Sequence, residues 1–207
     1  MKYPIITISR EVCSGGHAIG EKVAEVLGVP FLDKDIIAEV SKTTGLDTAM
    51  IEKASESGSL LSKYINGRFV GGVYLGDEQD KVYYAQKKVI LENAAKGPCV
   101  IVGRCAGHIL KEAGIPCLNI FIHADFENRL ENYRKQHEGQ NIDFAKQLRK
   151  EDKGRQFYCR YYGHHELGDS TCYDMVLDTG AFDEAFCVDT IVKAATKAAE
   201  TNKEAAC

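Results

Sequence analysis

ITISREVCSGGHAIG, residues 6–20, runs from an apolar strand (Ile5, Ile6, Ile8) through a polar turn (Ser14, Gly15, Gly16) into an amphipathic helix. Ile19, Val23, Ala24 and Leu27 recur at helical spacing and give that helix one apolar face. This order aims backbone N–H groups and the positive helix terminus at one point, where a phosphate binds well. The two glycines let the backbone approach such an anion, which side chains would prevent. Ser-Gly-Gly also occurs in plain turns; its place between strand and helix is what favours the anion. A Walker A loop, GxxxxGK[ST], carries Lys and a hydroxyl after its last glycine. His17 and Ala18 follow it here.

The 207 residues suffice for one domain with a substantial core, and 44% hydrophobic with 27% charged residues is an ordinary globular balance. A net charge of −4 argues against a nonspecific nucleic-acid binder, which needs a broad basic face. No apolar run approaches the length of a membrane span. MKYPIITISR has neither the apolar region nor the cleavage site of a signal peptide, so the chain is expected in the cytoplasm with its cysteines reduced. The eight cysteines show no CxxC pair and no zinc-ligand spacing, and no metal-ligating residue is assigned. Cys99, Cys117 and Cys187 lie in apolar runs and read as small core residues. Cys13 and Cys105 lie in segments singled out on other grounds.

Short apolar runs at Ile5–Ile8, Pro30–Leu32, Cys99–Val102, Cys117–Ile122 and Met175–Leu177 read as strands. Several are continuously apolar, as strands covered on both faces are. Helical patterns fall at Gly20–Leu27, Ile36–Lys42, Lys81–Ala95, Phe126–His137, Phe144–Tyr162 and Glu184–Ala199. The alternation predicts a parallel α/β sheet with its ligands at the carboxyl ends of the strands. Two stretches fit the sheet poorly. Residues 55–80 are rich in Gly and Tyr, and 144–169 are dense in Lys, Arg and Tyr; both have the character of mobile insertions.

Each strand end carries polar residues: Ser9, Arg10 and Glu11; Asp33, Lys34 and Asp35; Gly103 and Arg104; His123 and Asp125; Asp178, Thr179 and Gly180. Singly, Asp33 and Asp125 read as helix caps as readily as ligand contacts. Arg104 follows an apolar strand, a poor place for a charge; it reads as a surface ion pair or as a fork for a phosphate or base edge. In RKEDKGRQFYCRYYGHH, Arg149, Lys153 and either Arg155 or Arg160 share helical spacing. A solvated helix face explains such a run, and so does a cationic arm closing over the loop to stabilise a migrating phosphoryl group. Tyr74, Tyr83 and Tyr84 read as core packing or as a stacking platform for a base.

Taken together, ITISREVCSGGHAIGEKVAEVLGVPFLDKDII, CVIVGRCAGHIL, IFIHADFENRLENY, EDKGRQFYCRYY and YDMVLDTGAF resemble the cytidylate kinase-like family, a branch of the P-loop nucleoside monophosphate kinases. The resemblance implies a three-layer α/β/α fold of P-loop NTPase type with a five-stranded parallel sheet. Residues 34–80 would form the monophosphate-binding region and 140–170 a helical lid. It implies ATP as phosphoryl donor with Mg²⁺, and nucleotide substrates, with neither nucleic acid nor membrane as partner. Ser9, Arg10, Ser14, Gly15, Gly16 and His17 would surround the donor phosphates. Asp33 and Arg104 would bind the acceptor, and Lys153 and Arg155, with His17, would act on the transferred group. Typical members have Gly-Lys-Ser/Thr in the loop and Gly-Arg-Asp after the third strand; here stand Gly16-His17-Ala18 and Gly103-Arg104-Cys105. The resemblance implies a kinase for CMP or a related monophosphate. The departures leave two alternatives, a kinase for another small molecule and a degenerate loop that binds anions without turnover.

Overall fold

The structure, a computed structural model, describes residues 5–49, 51 and 78–204. Strands β1 (Ile5–Arg10), β2 (Phe31–Leu32), β3 (Val100–Val102), β4 (Cys117–His123) and β5 (Met175–Asp178) form one sheet in the order β2-β3-β1-β4-β5. The pairings are parallel: Ile6 lies opposite both Val100 and Leu118, Phe31 opposite Val100, and Ile122 opposite Leu177. Parallel neighbours need crossovers. Helices α1 (Gly16–Leu27), α2 (Lys34–Thr44), α3 (Glu78–Lys96), α4 (Ala106–Glu112), α5 (Phe126–Gln136), α6 (Phe144–Gly163) and α7 (Glu184–Glu204) supply them. Strand order reverses beside β1, so the crevice for a ligand opens beyond its carboxyl end.

Strand alternation divides the core into two faces. Ile5 and Ile101 pack with Ile36 of α2, Ile90 of α3 and Ile109 of α4. Ile6, Ile8, Val100 and Val102 pack with Val23 of α1 and Ile191 of α7. The result is the expected three-layer α/β/α architecture, with β1 at its centre. Cys99 and Cys187 are buried in this core, as their apolar context predicts, and Cys117 is half-buried.

The helix expected at Phe144–Tyr162 is present as Phe144–Gly163 and is seated on the core. Asp143 caps it by accepting from the Lys146 N–H at 3.0 Å. Leu148 enters a small cluster with Val12, Leu130 and Tyr133, and Tyr158 and Tyr162 join the main core. Tyr83 stacks on Tyr162 with ring centroids 4.0 Å apart, which makes it a packing residue, while Tyr84 is exposed. The expected monophosphate-binding region 34–80 opens with α2; residues 52–77, Tyr74 among them, lie outside the described residues. Among the described residues, no helix is long and apolar enough to cross a membrane.

Candidate active site

Residues 11–15 join β1 to α1 in a turn with two left-handed positions, Cys13 (φ 57°) and Gly15 (φ 81°). Gly15 is the N-cap of α1, has no side chain to cap with, and is followed by no acidic residue in the first turn. The first N–H groups of α1 are therefore offered to an outside anion. A Cβ at Gly16 would lie 2.7 Å from the Arg10 Cβ, so only glycine lets the helix start this close to β1. Ser14 is turned inward: its hydroxyl is shared between the carbonyls of Glu11 (3.0 Å) and Ile122 (3.1 Å). Thr179 Oγ1 donates to the Ser14 carbonyl at 2.8 Å, which ties the loop to the end of β5. With Ser14 facing inward and Ala18 lacking a hydroxyl, the loop has no ligand of the usual kind for Mg²⁺. Among the described residues, no group of three or more His, Cys, Asp or Glu is placed to hold a metal.

Asp33 occupies the N-cap position of α2 yet makes no capping bond. Its Oδ1 accepts from Arg104 Nη2 at 2.9 Å, and its Oδ2 lies 2.9 Å from His17 Nδ1. Arg104 Nη2 also lies 3.3 Å from the Asp33 carbonyl. His17 thus faces the carboxylate after β2, with its ring edge-on to Phe31. A neutral His17 in this pair carries its proton on Nδ1. Asp125 is the contrasting case and is an ordinary cap, accepting from the Asn128 N–H at 2.9 Å.

Arg104 is 5% exposed. Its Nε and Nη1 are buried without a hydrogen-bond partner among the described residues. Each such donor costs about 1–3 kcal/mol while unsatisfied. Gly103, Arg104 and Cys105 all have positive φ (75°, 57° and 53°). Two of the three carry side chains, and each left-handed residue of that kind costs roughly 1–2 kcal/mol. Strain and orphaned donors at one turn mark a site shaped for a ligand rather than for stability.

Arg129 and Asp152 bring the arm to the loop. Arg129 is buried, with Nε 3.1 Å from the Ala124 carbonyl and 3.2 Å from Glu11 Oε2. Its Nη1 reaches the Val12 carbonyl at 3.2 Å and both Asp152 oxygens at 2.9 Å. One guanidinium thus fastens α6 to the phosphate loop. One helical turn beyond Asp152, Arg155 Nη1 donates to the Arg10 carbonyl at 3.1 Å. Lys153, two residues earlier, is exposed. The structure therefore brings Arg155 to the loop and leaves Lys153 at the surface. Replacing Arg129 by Leu should strand the Glu11 and Asp152 carboxylates and cost about 3 kcal/mol. Thermal denaturation should show a melting temperature lower by roughly 10 °C.

Beside this turn lies a cavity of about 330 Å³ between α4 and α6, which Ser9, Arg10, Arg104 and Arg155 help to line. Its volume is near the lower end for small-molecule sites. Arginines converge on it from three strand ends or helices, β1, the turn after β3, and α6.

The cytidylate kinase-like family model matches residues 5–181. The chain belongs to that family. A cytidylate kinase from Archaeoglobus fulgidus is 25% identical over 193 residues, which cover 91% of this chain and 93% of that one. A crystal structure of an uncharacterized protein from Eubacterium ventriosum is 27% identical with a TM-score of 0.61, covering 92% of this chain and 96% of its own. A gluconokinase from Sinorhizobium meliloti is 15% identical with a TM-score of 0.55 over 98% of both chains, a likeness of fold alone. Family and fold together make this a kinase-like chain of the P-loop class, whose members act on nucleotides and other small molecules.

Of the family's expected positions, the structure unites Asp33, Arg104 and His17 in one contact and brings Arg10, Ser9 and Arg155 to one cavity. Ser14 faces the protein. The sequence marked Glu11 only as a polar residue after the first strand, and Arg129 and Asp152 were not singled out. The available signal was periodicity: Phe126, Arg129, Leu130 and Tyr133 fall at i, i+3, i+4, i+7, which places a charge on the apolar stripe of α5.

Proposed function

We propose that the protein transfers the γ-phosphoryl group of ATP to a nucleoside monophosphate, with CMP as the first acceptor to be tested. The observation that supports this reading most is Arg104. It is buried beside a cavity, clamped on one side by Asp33, and has two donors without a partner among the described residues. Each of these donors can give one charge-assisted hydrogen bond to a phosphate oxygen.

On this reading the donor phosphates rest on the first N–H groups of α1, with Gly15 and Gly16 allowing the approach. Arg104 holds the acceptor phosphate and orients one of its oxygens for in-line attack. Arg155, reaching over from α6, stabilises charge on the migrating group, a task the loop lysine performs elsewhere. His17 acts through Asp33, as a positioning residue that holds the carboxylate against Arg104. Mg²⁺, which such kinases carry with the nucleotide, would be held by phosphate oxygens and water rather than by the loop.

The inward Ser14 and the His17–Asp33 pair favour a second reading, a loop that binds anions without turnover. Steady-state assays with ATP, Mg²⁺ and CMP, UMP, dCMP or AMP separate the two. The kinase reading expects turnover with CMP above the other acceptors. Turnover with none of them, in protein that binds nucleotide by calorimetry, supports the second reading instead.

A further inference from the structure

The cavity wall holds a group of thiols and imidazoles that phosphoryl transfer does not use. Cys159, on α6, and Cys105, in the strained turn after Arg104, both line it. Cys159 Sγ lies 3.6 Å from both ring nitrogens of His165, and Cys105 lies close enough to be its hydrogen-bond partner. His165 Nδ1 lies 2.9 Å from the Glu166 carbonyl, which fixes the ring. Gly163, one turn after Cys159, packs against both: a Cβ there would lie 3.3 Å from the His165 ring and 3.4 Å from Cys105 Sγ.

We propose that Cys159 and Cys105 form a peroxide-sensitive dithiol site that closes to a disulfide between α6 and the Arg104 turn. The Cys159 thiolate attacks one oxygen of a hydroperoxide. The O–O bond breaks, the thiolate becomes a sulfenic acid, and the departing hydroxide takes the His165 proton and leaves as water. The Cys105 sulfur then attacks Cys159 Sγ; the S–S bond forms, the S–O bond breaks, and the hydroxyl leaves as water with the Cys105 proton. The two thiols lose two electrons and the peroxide gains them. The product ties the turn that carries Arg104 to the helix that carries Arg155, one turn upstream of Cys159.

Electrostatics supports the geometry. The hydrogen bond from Cys105 is the largest cause holding the Cys159 thiol well below its ordinary pKa; burial opposes it, and His165 adds to the lowering. His165 is correspondingly raised, chiefly by its bond to Cys159. Glu166, from the segment after α6, pushes the Cys159 thiol up, and Tyr173, packed beside His165, is itself raised mainly by burial. Burial pushes the Cys13, Cys99 and Cys117 thiols up to about 11. Cys159 is therefore the nucleophile, although it is more buried than Cys13.

The experiment treats the wild-type protein with hydrogen peroxide under non-reducing conditions and maps the products by peptide mass spectrometry. A Cys105–Cys159 disulfide that dithiothreitol reverses is expected. Iodoacetamide should label Cys159 at neutral pH about tenfold faster than Cys13, because the gain in thiolate outweighs the loss in nucleophilicity. That labelling should persist as pH falls below the range where ordinary thiols stop reacting. In Cys105→Ser, peroxide should leave a sulfenic acid on Cys159 that dimedone traps. If that variant does not fold, the wild-type mapping and labelling decide alone. Oxidation confined to other cysteines, or labelling of Cys159 no faster than of Cys13, overturns the proposal. None of these readouts depends on kinase turnover.

Discussion

Replacing Arg104 by Met should lower kcat/KM for the acceptor by about 10³-fold. Arg104 lines the cavity and has two buried donors unpartnered among the described residues, and each charge-assisted hydrogen bond to a phosphate contributes about 1.5–3 kcal/mol. Two such bonds lost together amount to two to four decades in rate by transition-state arithmetic, roughly. Met fills the space of the stem while removing the fork, and Asp33 retains His17 at 2.9 Å as a partner. Lys in the same place keeps the charge without the paired donors and should recover only part of the loss. Steady-state kinetics with varied acceptor, alongside a urea denaturation curve to show that the variant is folded, checks this. Full activity in the folded Met variant would remove Arg104 from the acceptor site.

Arg155→Met should leave ATP affinity within a few-fold of wild type and lower kcat by about 10³-fold, the effect that withdrawing an arginine from a migrating phosphoryl group has elsewhere. The geometry places the effect on kcat. Arg155 rests on the Arg10 carbonyl at 3.1 Å, at the end of β1. Lys153 is exposed two residues away, so Lys153→Met should keep most of its activity. Comparing the two variants by kcat and by calorimetric ATP affinity tests whether the missing loop lysine is replaced from α6. Equal losses in both would mean that Lys153 also reaches the phosphoryl group.

The sheet was legible because buried parallel strands leave continuous apolar runs: VIV at 100–102 and IITI at 5–8 announce themselves, and their helices follow by periodicity. The polar residues at the strand ends were legible too, since the fold class fixes where ligands bind. What could not be read was which side chain turns which way. Ser14 looked like a phosphate contact, but its hydroxyl is used by two carbonyls that β4 and the loop itself present. Asp33 and Asp125 looked alike as residues after a strand. One is a cap; the other is held by Arg104, from 71 residues away in the chain, and by His17. Arg129 was hidden because its partners, Val12, Glu11 and Asp152, come from segments far apart in sequence. Long-range pairing of buried charges leaves little local trace beyond a cation on an apolar stripe.

On the proposed function, a loop lacking its lysine still moves phosphate when arginines converge on it from neighbouring elements. A single-turnover experiment with γ-labelled ATP, CMP and excess wild-type protein tests that claim most directly. The label should pass to CDP faster than it is released as inorganic phosphate. Label that stays on ATP, or leaves only as inorganic phosphate, in protein shown to bind both nucleotides, would contradict the claim.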